Sequence, residues 1–231
     1  MAMSGIKIFG LGVRRKDMSP QDFHDYWRHP HGTWGRTMPS LRGYVQSHQT
    51  NCEFLGPEQS RRECVAEMWV DNEHDMTNFQ QDPVYAKYLH DDADNFVDYS
   101  QAIYFPTVEE VLVSGPSAER SFNPGDEMWS PRAGPYSVKL LHFVGPDGNP
   151  NWASEEDESL SRSLQALRHV RCHPFVKEGD PAPRFRGVQE LWWPTWRAFR
   201  AGMSAAPQAF QKLFANGGDC LTLAAQAELF L

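Results

Sequence analysis

Short apolar runs recur along the chain, separated by polar stretches that carry helical spacing. Ile6-Lys-Ile-Phe-Gly-Leu11 reads as a buried strand, and Val138-Lys-Leu-Leu-His-Phe143 repeats its pattern. Leu41-Arg-Gly-Tyr-Val-Gln-Ser-His48 is echoed by Leu167-Arg-His-Val-Arg-Cys-His173, and Cys64-Val-Ala-Glu-Met-Trp-Val70 by Gly187-Val-Gln-Glu-Leu-Trp-Trp193. The last pair is Val108-Glu-Glu-Val-Leu-Val113 and Gln226-Ala-Glu-Leu-Phe-Leu231. Four matches in one order predict a duplication. Gly and Pro punctuate residues 114–135, so the pattern predicts domains at 1–115 and 136–231 joined by a linker at 116–135.

Between the first two strands, Ser19, Pro20 and Asp22 supply a cap, a preset φ and early negative charge, which predicts a helix start. Phe23, Tyr26 and Trp27 then share one face, and Pro30 ends or kinks the helix. A second helix is expected from about Asp75 to Asp98 with a break near Pro83; its apolar markers include Phe79, Val84, Tyr88 and Phe96. In the second half, Ser154 and the acidic run to Glu158 open a helix with Leu160, Leu164 and Leu167 as its buried stripe, and 207–214 supplies its partner. Each half thus reads strand, helix, strand, strand, helix, strand. The expected fold class is α+β: two ferredoxin-like domains, each an antiparallel sheet with helices on one face. Packing their bare faces sheet to sheet gives a barrel within one chain.

With 22 Lys plus Arg against 30 Asp plus Glu, the net charge is −8, which argues against nucleic acid as a partner. No apolar run approaches a membrane span, and the N-terminus lacks the pattern of a signal peptide. The four cysteines form no C-x-x-C pair and suit a reducing compartment, so the expected location is the cytoplasm. A nucleotide loop and a serine-hydrolase elbow are both missing. The 8 Trp and 14 Phe supply a core or the lining of an apolar pocket.

Among titratable groups, Tyr44, Gln46 and His48 alternate onto one strand face, which in a closed barrel would line the interior and make Tyr44 and His48 an acid–base pair. Val65, Glu67 and Trp69 share a face, as do Val188, Glu190 and Trp192; burial there would raise a carboxyl's pKa into a useful range. The rival reading pairs both glutamates with arginines across the domain interface. His29 and His31 alone do not complete a metal site, so no metal is expected.

Ser19-Pro-Gln-Asp-Phe-His-Asp-Tyr-Trp27, the following His31-Gly32 and Leu41-Arg-Gly-Tyr-Val-Gln-Ser-His48 together resemble the EthD-domain family of the dimeric α+β barrel superfamily. The resemblance covers roughly the first fifty residues and implies that the second copy is a degenerate half of a fused pseudo-dimer. It puts His31 at the family's position and implies a small, apolar, aromatic or polyketide-like substrate. The first reading is a cofactor-independent lyase, decarboxylase, isomerase or cyclase, with His31 or His48 as base, Tyr44 or the other histidine as proton donor, and Glu67 in support. Trp27, Tyr26, His29, Trp69, His173 and Trp192 are the expected substrate contacts. The alternatives are an oxidoreductase, either a cofactor-free monooxygenase or a haem enzyme, and a non-enzymatic carrier of hydrophobic molecules. A monomeric pseudo-dimer and a homodimer are both expected assemblies.

Overall fold

The computed structural model describes residues 5–56, 59–114, 136–214 and 219–231; the expected linker lies outside them. Eight antiparallel strands close into a barrel: β1 (Ile6–Gly12), β2 (Gly43–Gln49), β3 (Cys64–Val70), β4 (Ile103–Ser114), β5 (Tyr136–Val144), β6 (Arg168–Pro174), β7 (Gly187–Trp193) and β8 (Leu221–Leu229). In the first half β1 sits between β3 and β4, with β2 beyond β3. The second half repeats this with β5 between β7 and β8, and β6 beyond β7. Pairing of β2 with β8 and of β4 with β6 closes the ring.

Period-two alternation sorts the side chains. On β1, Ile6 and Ile8 belong to the cluster under the helices, while Phe9 and Leu11 join Leu141, Phe143, Val188 and Leu223 inside the barrel. Lys7 also points inward, and β5 places Lys139 at the matching register position, each opposite a tryptophan of its own half. The Lys7 ammonium lies 2.8 Å from Glu67, 2.5 Å from Glu190 and 3.2 Å from Glu109. Lys139 bonds Glu67 and lies 3.3 Å from Glu190, over the Trp192 ring. The two lysines, Glu67 and Glu190 are all within 1% of complete burial.

The glutamates therefore do pair across the halves, but with lysines rather than arginines. Burial pushes Glu190 upward and the Glu67 charge adds to it, whereas both ammoniums outweigh burial at Glu67 and hold it well below the usual range.

Helix α1 (Pro20–Tyr26) starts where Ser19 accepts a hydrogen bond from the Asp22 amide. It does not run on to His31. His29, restricted because it precedes proline, is extended at φ −150° and ψ 121°. A short helical turn α2 (Thr33–Gly35) follows. The expected long helix over 75–98 is instead α3 (Glu73–Thr77) followed by short 3-10 and π turns as far as Gln101. The second half is covered by α4 (Asp157–Ser163), α5 (Trp196–Ala205) and α6 (Pro207–Leu213). No helix among the described residues is long and apolar enough to cross a membrane.

The inner charges set a test of stability. Lys139→Met should cost about 3–5 kcal/mol in denaturant unfolding, because it strips a buried carboxylate of its partner. Adding Glu190→Gln to that variant should recover part of the loss.

Candidate functional site

Trp27, His31 and Tyr44 line a cavity of about 100 Å³ between the outer face of the first-half sheet and the broken segment at 79–104. Its walls are apolar: Met38, Met68, Leu89 and Phe96, with Tyr85, Tyr99 and Tyr104. His31 Nδ1 lies 2.7 Å from Asp92 Oδ2, and Tyr26 donates to the other oxygen at 2.6 Å. Burial pushes the Asp92 carboxyl up, but the bonds from His31 and Tyr26 outweigh it and hold Asp92 below its ordinary range. An ionised carboxylate only accepts, so Nδ1 carries a proton, and in the neutral imidazole Nε2 is the nitrogen with the lone pair. Nε2 has no hydrogen-bond partner among the described residues.

Tyr44 and His48 share a face, but it is the outer one. Val45 lies inside the barrel against Trp69, and Ser47 donates to Glu67. Gln46 Nε2 donates to the Tyr44 hydroxyl and to the Trp27 carbonyl, each at 2.8 Å. The Tyr44 proton is thereby free to be donated elsewhere, and burial, which raises its pKa, keeps it in place. His48 does not line the cavity; its Nδ1 meets His24 Nδ1 at 2.9 Å, and its Nε2 lies 3.2 Å from Gln46 Oε1. Burial, helped by Arg28 and His24, drops the His48 pKa to about 2, so it stays neutral.

Several expected site residues lie elsewhere. Glu67, Trp69 and Trp192 are inside the barrel with the lysines, so Glu67 is a counter-ion whose low pKa unsuits it as a base. His29 is exposed and bonds Thr33; Tyr26 reaches the site through Asp92 and through its packing on Phe96. His173 belongs to the second half, bonded to Glu110 and beside Trp152. Glu109, Cys172 and Glu190 lie close enough together to hold a metal ion, but the Lys7 ammonium already sits on both carboxylates.

Residues 15–100 match the EthD domain family model. Among curated proteins, no sequence match is found. Among solved structures, an anthrone oxidase-like protein shares the fold, aligning with 100% of this chain and 96% of its own at TM-score 0.60 and 10% identity. An EthD-family protein from Bacillus halodurans covers 44% of this chain and 95% of its own (TM-score 0.37, 18% identity). A chlorite dismutase from Candidatus Nitrospira defluvii covers 100% and 93% (TM-score 0.48, 10% identity).

Within the matched segment, Gly32 lies so close to the sheet that an added Cβ would sit 2.6 Å from both Gln46 Nε2 and the Phe230 ring. This contact explains a glycine directly after His31. Asp92, absent from the sequence reading, falls in the run Asp91-Asp92-Ala93-Asp94, which carries no mark separating a buried carboxylate from solvated ones. Haem fits this cavity poorly. A space of about 100 Å³ is small beside the roughly 300–1,000 Å³ of common ligand clefts, and a porphyrin needs a large one.

Gly32→Ala should lower stability by about 1–3 kcal/mol in thermal or denaturant unfolding, through overpacking against Gln46 and Phe230. A pH series should expose His48. The unfolded chain binds a proton near pH 6.5 that the folded state refuses until about pH 2, so this histidine's contribution is intact above 6.5 and is lost as pH falls through that window. His48→Gln should flatten the acid side of the stability curve.

Proposed function

We propose that the first-half cavity is the active site of an oxidoreductase-type enzyme acting on a compact, apolar, aromatic carbon acid. The observation that carries this reading is a histidine held by a buried carboxylate and opening onto an apolar space that also contains a tyrosine free to donate. His31 Nε2 takes a proton from the ring carbon next to the carbonyl. Asp92 keeps the imidazole in the correct tautomer and stabilises the imidazolium that forms. Tyr44 donates to the carbonyl oxygen as it gains charge, in a low-dielectric setting where one such bond matters most. The resulting enolate is electron-rich and is oxidised by dioxygen: a methylene plus O₂ gives a ketone plus water. The anthrone oxidase-like neighbour is consistent with such a substrate.

The same base and donor could serve a lyase or isomerase without oxygen, and the apolar walls could serve a carrier. The repeated strand order further supports two fused domains, about 1–115 and 136–231.

2-Indanone, whose methylene adjoins both the carbonyl and a single benzene ring, is a suitably compact probe, with oxygen uptake and product formation followed together. His31→Ala should lower turnover by about 10²–10⁴-fold. Tyr44→Phe should lower it by about 10²–10³-fold. Unchanged oxygen uptake in His31→Ala would overturn the assignment. Substrate loss that depends on His31 but consumes no oxygen would replace it with the lyase or isomerase reading, and binding without turnover with the carrier.

A further inference from the structure

The second half has a cavity of its own on the outer face of its sheet, about 200 Å³ in volume, between β5 and helices α4 and α6. Its lining differs in kind: His142, Asn149, Asn151, Trp152, Ser154, Asp157 and Lys212 contribute, with Leu160 and Leu213. The register that matches Lys7 with Lys139 also matches Gly10, on the wall of the first cavity, with His142. The chain therefore has an imidazole in the second half where the first has open space.

We propose that this cavity is a binding site for a small organic amine, a protonated ammonium on a short apolar stem. Two side chains buried to 3% exposure present unused acceptors there. Asp157 Oδ2 takes all of that residue's side-chain bonds, from Gln189 Nε2 at 2.8 Å, Arg171 Nε at 3.1 Å and the Ser154 amide at 3.2 Å. Its Oδ1 has none among the described residues. His142 Nδ1 is held by Thr222 Oγ1 at 2.7 Å, and its Nε2 is likewise unpartnered among the described residues.

Charge favours a cation over a neutral or anionic guest. Arg171 is shared between Asp157 and Glu110, leaving that group one negative charge in excess. Lys212 is paired with Glu156 at 2.6 Å, so the two cancel. Burial raises the Asp157 pKa and lowers that of His142 to about 4, so this imidazole stays neutral. An ammonium brings three donors and the missing charge. Trp152 supplies an aromatic face for a cation, and Leu160 and Leu213 supply a surface for the stem.

The test uses the whole chain with n-butylamine, 1-butanol and butyrate as size-matched probes, read by calorimetry and thermal shift. Butylamine should bind and raise the melting temperature, at least tenfold more tightly than the other two. Asp157→Asn should weaken it by at least tenfold, while His31→Ala and Tyr44→Phe should bind it as the parent does, which separates this site from the first cavity. Should Asp157→Asn fail to fold, the parent protein still decides. The His142 ring signal in a proton NMR spectrum, assigned by its loss in His142→Gln, should move as butylamine is added. Equal binding of the alcohol, preference for butyrate, retention of binding in Asp157→Asn, loss in His31→Ala, or an unmoved His142 signal would each overturn the proposal.

Discussion

Lys7 and Lys139 meet three carboxylates, Glu67, Glu109 and Glu190, inside a closed barrel, and the rest of the molecule is arranged around that meeting. Isolated, any of these charges would be prohibitively expensive to bury. Together they hold two positive charges against three acidic groups, an imbalance relieved when one carboxyl retains its proton, and Glu190 is the one whose pKa burial raises. The arrangement also dictates register. Sliding β1 by one residue would carry Lys7 to the helix side and bring Ile6 or Ile8 inward, abandoning Glu67 and Glu190. Each lysine meets a glutamate of its own half and one of the other, Lys7 reaching Glu67 and Glu190 and Lys139 reaching Glu190 and Glu67, so closure of the barrel completes the neutralisation of its interior.

Much of this was legible in the sequence, and the places where reading failed have physical causes. Alternation and the internal repeat located all eight strands, and β3 and β7 begin and end where the apolar runs do. Alternation separates two faces without saying which is inside. On β2 the decision rests on Val45 lying opposite Glu67, a pairing between strands that one strand's pattern does not contain. The alternation of Tyr44 and His48 is therefore equally compatible with the barrel interior, whereas both lie under α1 and its continuation. The expected helix over 75–98 failed because its apolar markers, spaced near a helical period, are met just as well by a chain of short turns.

Those short turns create the candidate site. A continuous helix laid on the sheet would have filled the outer face of β1 and β3 with its own ridge of side chains. Broken segments instead arch over Gly10, Gly12 and Ala66, residues too small to fill the space beneath them, and hang Tyr85, Tyr99 and Phe96 around it. The same irregular stretch delivers Asp92 to His31, so one departure from regular structure supplies both the room and the orienting carboxylate. His31 carried a recognisable motif, whereas its partner needed the fold to find it.

Comparing the two halves of this one chain separates positions held by the barrel from positions left free. Facing inward, Lys7 matches Lys139, Glu67 matches Glu190 and Trp69 matches Trp192, because each half supplies counter-charges to the other and a change on one side would orphan a charge on the other. Facing outward, Gly10 matches His142, Tyr44 matches His169 and Ala66 matches Gln189. These side chains lie on the helix side of the sheet, outside the charged seam, and among the described residues Tyr44 alone of them packs on a ring of the other half, Phe230. The small residues of the first half leave an apolar hollow beside His31; the larger polar ones of the second fill that space, with His169 and Gln189 bonded to each other and Gln189 in turn bonded to Asp157. A charged seam that couples two halves internally thus leaves each outer face to take up its own chemistry.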